Sequence, residues 1–314
     1  MENQKKYPIK VVSKMTGLTV HAIRMWEKRY KLVEPSRTPS NRRLYSDQDI
    51  QRLRLLKQAT DLGYGISQVA GLDSTELEKL VSALQQAPQG NQSNLSLPAI
   101  EANLHDSFQE SLKAIQSLNA VQLENILLDA AVSFSQPVIL ENLILPLIEK
   151  VGVSWQNGMM RIYHEHLATN VIRKFLLDQL TATRIPPSAP GMIVTTPAGQ
   201  THELGALIAA LIAATQGWNV TYLGANLPVE DIAAVIKEKN ARILLLSLVY
   251  PLQDPKLEKE LIRLREIIGK EITIIVGGRA VNSYLPVLQS INAFIFTDYS
   301  QFRKHLSARD DRDQ

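Results

Sequence analysis

The sequence has 314 residues, of which 45% are hydrophobic and 21% are charged, so it can form buried cores and is too long for one ordinary domain. It contains no cysteine, which excludes disulfide bonds, thiolate metal sites and a cysteine nucleophile. No apolar run approaches the ~18 residues that cross a bilayer, and the amino terminus lacks a signal-peptide pattern. We therefore expect a cytoplasmic protein with no membrane partner.

The basic residues are concentrated at the amino-terminal end. Residues 1–70 contain 14 Lys and Arg against 6 Asp and Glu, a net charge of +8, whereas the rest of the chain has a net charge of −5. A basic segment followed by an acidic remainder indicates that only the first segment meets a polyanion, unless its charges merely form a solvated face.

The first segment has the pattern of a helix, a tight turn and a second helix over residues 8–30. Gly17 ends the first helix, and the second runs from Val20 to Lys28. Ile23 and Trp26 are expected to face inward on that second helix. Its size fits the major groove of DNA.

A short basic hairpin, or wing, is predicted at 41–45, and Ser46 is expected to cap a helix that runs to Leu62. The segments 22–30, Ala-Ile-Arg-Met-Trp-Glu-Lys-Arg-Tyr, and 42–46, Arg-Arg-Leu-Tyr-Ser, resemble the winged-helix head of MerR-type transcription regulators. The resemblance implies a domain over 1–84 that binds double-stranded DNA. The expected DNA contacts are His21, Arg24, Lys28, Arg42, Arg43 and Tyr45.

The middle of the chain predicts a small helical bundle between two linkers. Residues 85–98 are polar and lack an apolar pattern, which indicates a flexible linker, and residues 184–191 contain three prolines, which exclude a continuing helix. Between them, residues 99–183 show helical spacing. Four helices are expected, marked by Leu112 to Leu118, Leu123 to Leu127, Leu140 to Val151 and His164 to Leu180.

Residues 192–309 alternate short β-rich runs with helical stretches, which predicts a flavodoxin-like, doubly wound parallel sheet. The five strands are expected at Met192–Thr196, Asn219–Leu223, Ile243–Ser247, Ile272–Val276 and Ala293–Phe296. Ligands of such sheets bind beside the loops at the carboxyl ends of the strands. The whole chain is thus expected to be a multidomain α and α/β protein.

Three motifs follow strands of this sheet in order: His202-x-x-Gly205, Ser247-Leu248-Val249 and Gly277-Gly278. They are similar, in type and spacing, to the signature of the cobalamin-binding domain. That resemblance implies that His202 ligates the cobalt of cobalamin from below. It also implies that Ser247 contacts the displaced nucleotide tail, for which the glycines leave room.

Two positions depart from the signature of that domain. Gln200 occupies the place of an acidic residue that hydrogen-bonds the ligating histidine, and a neutral amide adds less electron density to the ring. Val249 replaces a leucine, a minor change in volume. Both substitutions leave ligation by His202 possible and weaken the expectation of tight binding.

The bundle contains Trp155 followed ten positions later by Glu165 and His166, a spacing that resembles the helical cap of light-responsive, cobalamin-dependent MerR-type regulators. The resemblance implies that Trp155 covers the upper face of the corrin and that Glu165 and His166 approach the adenosyl group. Trp155 could instead belong to the bundle core. A metal site at His164 and His166 is rejected, because residues two apart on a helix point in different directions.

Some light-sensing relatives carry a histidine directly after the capping tryptophan, and this sequence has Gln156 there. Together the motifs resemble the light-responsive adenosylcobalamin-dependent repressors of carotenoid genes. They imply a non-enzymatic repressor and photoreceptor that self-associates to a dimer or tetramer. Two alternatives stay open: a MerR-type regulator that works without cobalamin, and a corrinoid carrier for methyl transfer.

Overall fold

The computed structural model describes residues 6–18, 20–38, 41–61, 64, 66–86, 97–186, 188–250 and 254–310. The chain divides into two compact units, Met1–Phe175 and Leu176–Gln314. This division falls before the linker predicted at 184–191. Within the described residues, no helix combines the length and apolarity that a bilayer crossing requires.

The amino-terminal head is a winged helix-turn-helix domain, as predicted. A three-stranded antiparallel sheet in the order β1-β3-β2 forms the wing, and Ser36 pairs with Leu44 across its outer hairpin. The first helix ends at Gly17, which has φ +71° and donates its N–H to the Ser13 carbonyl. The elements are β1 (Tyr7–Pro8), α1 (Ile9–Thr16), α2 (Val20–Tyr30), β2 (Ser36–Arg37), β3 (Arg43–Tyr45), α3 (Asp47–Asp61), α4 (Ile66–Val69) and α5 (Ser74–Gln86).

A reciprocal cap begins α3, which confirms the prediction for Ser46. The Ser46 hydroxyl accepts the Asp49 N–H, while the Asp49 carboxylate accepts the Ser46 N–H at 2.8 Å. The predicted end of this helix at Leu62 and Gly63 lies outside the described residues. Ile23 and Trp26 are buried in the core of the head, as expected.

Four helical segments follow, as predicted, with two differences. Leu118 lies past the end of α6 at φ +57°, because the chain reverses there before Asn119 caps α7. The third segment contains a π-helical turn, Leu140–Ile144, between two α-helical parts. The elements are α6 (Leu97–Gln116), α7 (Ala120–Ser133), α8 (Gln136–Ile139), α9 (Leu145–Gln156) and α10 (Ile162–Ala182).

The carboxyl-terminal unit contains the predicted five-stranded parallel sheet, in the order β5-β4-β6-β7-β8. The strand order reverses at β4, so the loops after β4 and β6 border the usual ligand crevice. The elements are β4 (Gly191–Thr195), α11 (Leu204–Thr215), β5 (Asn219–Tyr222), α12 (Val229–Glu238), β6 (Ile243–Ser247), α13 (Pro255–Ile268), β7 (Thr273–Gly277), a 3₁₀ turn (Val281–Tyr284), α14 (Leu285–Ser290), β8 (Phe294–Phe296) and α15 (Tyr299–Asp310).

The Ala-rich helix α11 is packed tightly into this unit. Residues 206–214 of the helix are all buried, and small side chains let it approach the sheet closely. Gly205, at its amino-terminal end, therefore lies close to the ends of the strands. The fold brings the His202 motif and the Ser247 motif to one edge of the sheet.

Candidate cofactor and DNA-binding sites

The second helix of the head, α2, presents a basic face to solvent. Arg24, Lys28 and Arg29 are exposed on it, and Arg42 is exposed on the wing. His21 also belongs to α2, but its side chain lies outside the described part of the structure. Flexible cations on a helix and an adjoining wing can bind the phosphates that flank a major groove.

Glu27 organises the two remaining predicted wing contacts. The Arg43 Nε–H donates to both Glu27 carboxylate oxygens, at 2.9 and 2.8 Å, and the Tyr45 hydroxyl donates to the Oε2 atom at 3.2 Å. The hydrogen bond to Glu27 raises the pKa of the Arg43 guanidinium. Burial, followed by the Glu27 charge, raises the pKa of Tyr45 well above its ordinary value.

This cluster changes the expected roles of Arg43 and Tyr45. Tyr45 is fully buried rather than displayed on the wing, and Arg43 is held by a carboxylate within its own domain. Both residues shape the wing in this conformation, and their predicted contacts with DNA stay a prediction. Sequence reasoning missed Glu27 because it lies 16 residues from Arg43, on another element.

Helix α2 also packs against the bundle within the first unit. The Trp26 indole N–H donates to the Val132 carbonyl of α7 at 2.7 Å, and Val132 belongs to the buried core of the head. At the edge of this contact, Arg29 Nη1 lies 3.5 Å from the Asp129 carboxylate. The head is therefore docked on the bundle by way of the helix that would read DNA.

The bundle displays Trp155 on α9 with 45% of the residue exposed, so it is not a core residue. Glu165 accepts the Thr169 hydroxyl at 2.7 Å and lies 2.7 Å from His166 Nδ1. His164 Nδ1 instead accepts the Arg161 N–H at 3.0 Å. In the part of the chain that is described, no group of three potential metal ligands converges. Four other apolar side chains that are close to Trp155 in the sequence are also exposed: Val153, Met159, Ile162 and Tyr163.

The loop between β4 and α11 is fastened to its neighbours on both sides. On one side, the Gly199 N–H donates to Asn226 Oδ1 at 2.7 Å, and the Asn226 N–H donates to the Thr196 hydroxyl at 2.9 Å. On the other side, Gln200 is 1% exposed and its amide oxygen accepts the N–H groups of Val249 and Tyr250, at 2.8 and 3.0 Å.

These bonds place Gln200 and His202 in different roles. The Gln200 amide oxygen ties the loop to the end of β6, so the expected hydrogen bond from Gln200 to the His202 ring is not among its contacts. His202 is exposed, and it has no hydrogen bond or ion pair with any described residue. A rigid loop thus carries one imidazole that can bind a ligand.

Gly205 and Ser247 lie against each other beside this loop. A Cβ atom built on Gly205 would lie 3.3 Å from the Ser247 Oγ atom and 3.4 Å from the Tyr299 hydroxyl oxygen. Ser247 is buried. A Cβ on Gly277 would lie 3.2 Å from the Phe296 carbonyl oxygen. Glycines at these positions let Ser247, Tyr299 and Phe296 approach the ends of the strands closely.

Gly278 makes room for the protein chain itself. It has φ +109°, and a Cβ built on it would lie 2.2 Å from the Leu248 carbonyl oxygen, far inside van der Waals contact. The sequence interpretation attributed this glycine to a bound tail; the structure supplies a sufficient reason within the fold. Two further residues, Asn226 and Tyr299, were missed because neither belongs to a motif.

Comparison with known proteins agrees with this geometry. The family model described as MerR HTH family regulatory protein matches residues 7–75, and two models described as B12 binding domain match residues 108–177 and 190–292. The Methanosarcina barkeri monomethylamine corrinoid protein shares the fold, with a TM-score of 0.53 at 15% identity, over 65% of this chain and 98% of that chain.

The chain therefore combines a region that matches the MerR-type DNA-binding head with two regions that match B12-binding domains, the organisation of a B12-controlled, DNA-binding class of regulator. Within this class it is similar to the HTH-type transcriptional repressor CarH of Myxococcus xanthus, with 29% identity over 93% of this chain and 95% of that protein. It is also similar to the transcriptional repressor CarA of the same organism, with 25% identity over 91% of each.

Proposed function

We propose that this protein is a cytoplasmic repressor whose self-association and DNA binding are controlled by adenosylcobalamin and by light. The observation that carries the proposal is His202, an exposed imidazole without a partner among the described residues, on a loop that is otherwise held by hydrogen bonds. Three residues further on, a Cβ at Gly205 would crowd the Ser247 and Tyr299 hydroxyl groups.

The donor set fits a corrinoid. His202 would hold the metal from below, since neutral imidazole nitrogen is a common ligand of transition metals. The Ser247 hydroxyl can donate a hydrogen bond to a nucleotide tail, with Gly205 and Gly277 leaving space beside it. When bound, adenosylcobalamin supplies a cobalt ion and a cobalt–carbon bond that light breaks.

The bundle would supply the upper lid. Trp155 offers a broad apolar surface to a flat macrocycle, and its exposed state leaves that surface available. Glu165 would approach the upper ligand, while its bond with Thr169 holds the carboxylate and His166 lies against it. We assign these roles by resemblance to the helical cap.

Regulation would then act through the number of heads that meet DNA together. One winged-helix domain buries too little surface for tight specific binding, so several heads must be joined. Joining them raises affinity through effective concentration. In the proposed scheme, residues of the bundle and sheet would hold a dimer or tetramer in the dark while the cofactor is bound, and this assembly would come apart in light.

The test compares His202→Ala with His105→Ala, since His105 is an exposed histidine on α6 outside the proposed site. Both variants and the wild type are loaded with adenosylcobalamin in the dark. We expect His202→Ala to lose more than about 10-fold in cofactor affinity, and His105→Ala to behave as wild type. Absorbance spectra, size-exclusion chromatography and operator retention are recorded before and after green light. DNA retention that ignores both cofactor and light would reject the proposal.

A second candidate is a MerR-type regulator that works without cobalamin. The engagement of the Gln200 amide oxygen by the main chain of Val249 and Tyr250 favours it, because no carboxylate then raises the basicity of His202. Protein that stays colourless after incubation with cobalamins, yet binds its operator, would identify this alternative. Methyl transfer from methylcobalamin to a thiol would instead indicate a corrinoid carrier.

A further inference from the structure

Tyr299 lies beside Gly205, as Ser247 does, although no motif includes it and it lies beyond residues 190–292, which match the B12-binding model. It is the first residue of α15, directly after the last strand. Its hydroxyl donates to the Gly205 carbonyl oxygen at 3.2 Å. That hydroxyl and the Ser247 Oγ atom are both near the position that a side chain on Gly205 would occupy.

Two hydroxyl groups from different elements thus converge on one glycine at the start of α11. The Gly205 carbonyl lies in the first turn of that helix, so by ordinary helix geometry it also accepts the N–H four residues later. The bond from Tyr299 is therefore a second bond to the same oxygen. Giving it up would leave no backbone group without a partner.

The Tyr299 hydroxyl is protonated and can therefore donate a hydrogen bond. Burial raises the pKa of Tyr299 to about 12, so the phenol keeps its proton throughout the physiological range. A neutral phenol can donate one hydrogen bond and accept another. A heteroaromatic base with a ring nitrogen, linked to ribose and phosphate, offers acceptors of the required kind.

We propose that Tyr299 is a second tail-binding residue, whose hydroxyl turns from the Gly205 carbonyl to the nucleotide tail of cobalamin and contacts it beside Ser247. This inference rests on the proposed function. It makes Tyr299 a determinant of which corrinoids bind: those with a tail gain a hydrogen bond, and those without a tail do not.

The experiment titrates wild type, Tyr299→Phe and Tyr222→Phe with aquocobalamin and with diaquocobinamide, which lacks the nucleotide tail. Both probes depend on His202, and only the first reaches the tail space. We expect Tyr299→Phe to bind aquocobalamin about 5- to 10-fold more weakly and diaquocobinamide unchanged. The cofactor-free melting temperature of each variant shows that the fold is retained.

Tyr222→Phe is the matched control for a purely structural role. The Tyr222 hydroxyl donates to the Glu203 carboxylate at 2.5 Å and so supports the same end of α11 from outside the tail space. It should change the affinity for both corrinoids by the same factor. A Tyr299→Phe variant that behaves like this control, or like wild type, would overturn the inference. A wild type that binds neither corrinoid would instead refute the proposed function.

Discussion

The wing of the DNA-binding head and the loop after β4 in the sheet unit are held by polar side chains in different ways. In the head, Glu27 bonds other side chains, the guanidinium of Arg43 and the phenol of Tyr45. In the sheet unit, Gln200 and Asn226 bond main-chain N–H groups. The first arrangement fixes the shape of a charged surface, and the second stiffens a loop while leaving its imidazole available.

The difference follows from what each surface would bind. A DNA duplex presents a regular array of charge, so the wing needs a defined shape. Some of its charged side chains can therefore form ion pairs within the domain. A metal ligand needs an unshared lone pair, so His202 must stay outside the hydrogen bonds that hold its loop. Charge-dependent bonds in the head should also respond more strongly to salt than the main-chain bonds of the sheet unit.

The largest expected effect tests the main-chain packing of the sheet unit. Gly278→Ala forces a Cβ against the Leu248 carbonyl at a positive φ, and we expect it to lower the free energy of unfolding by about 3 to 5 kcal/mol. Gly269→Ala is the control, because φ is +72° there and nothing lies within 4 Å of the added atom. It should cost less, about 1 to 3 kcal/mol, since only the backbone conformation opposes it. Hydrogen exchange of the β6 and β7 amides measures both, and equal effects would contradict the packing role.

A smaller effect tests the charge cluster of the head. Glu27→Ala removes the partner of Arg43 and leaves the buried Tyr45 hydroxyl without its acceptor, for an expected loss of about 2 kcal/mol. Glu34→Ala removes the same side chain from an exposed position of the same domain and should be nearly neutral. Hydrogen exchange of the α2 and β3 amides provides the measurement. Exchange rates alike in the two variants would show that the cluster does not stabilise the wing.

The smallest effect concerns the junction between head and bundle. Trp26→Phe keeps an aromatic ring but loses the hydrogen bond to the Val132 carbonyl, and should cost about 1 kcal/mol beyond the change in ring size. Trp218→Phe corrects for ring size, since Trp218 is buried and its indole has no hydrogen bond to a described residue. The loss of stability in each variant is measured by urea denaturation, and amide hydrogen exchange in each unit shows where the loss occurs. Matching losses would mean that the bond contributes nothing to docking.

Much of the fold could be predicted from local signals. Gly17 and Ser46 marked helix ends, and alternating β-rich and helical stretches located every strand of the large sheet to within one or two residues. Because both motifs follow strands of a parallel sheet, His202 and Ser247 could then be predicted to lie at the same edge of that sheet. Each of these inferences depends on neighbours in sequence, on a period of two or 3.6 residues, or on strand order.

The remainder depended on contacts between distant residues. The pairing of Glu27 with Arg43 needs the wing hairpin to fold back on α2, which no periodic pattern encodes. Gln200 was misjudged because its partners are main-chain N–H groups, which every residue but proline carries. The contact of Trp26 with Val132 joins residues 106 positions apart in the sequence, so no local rule predicts it.

The hydrogen-bond acceptor at Val132 belongs to the main chain and not to a side chain. Its carbonyl lies in the last turn of α7, where helix geometry leaves oxygens without an intrahelical donor, and the Trp26 indole supplies one from another domain. Because the acceptor is peptide oxygen, it persists whatever side chain mutation places at position 132. This hydrogen bond between head and bundle can therefore be lost only if Trp26 is replaced or if the end of α7 is distorted. A fragment made without the head would expose the same oxygen to water.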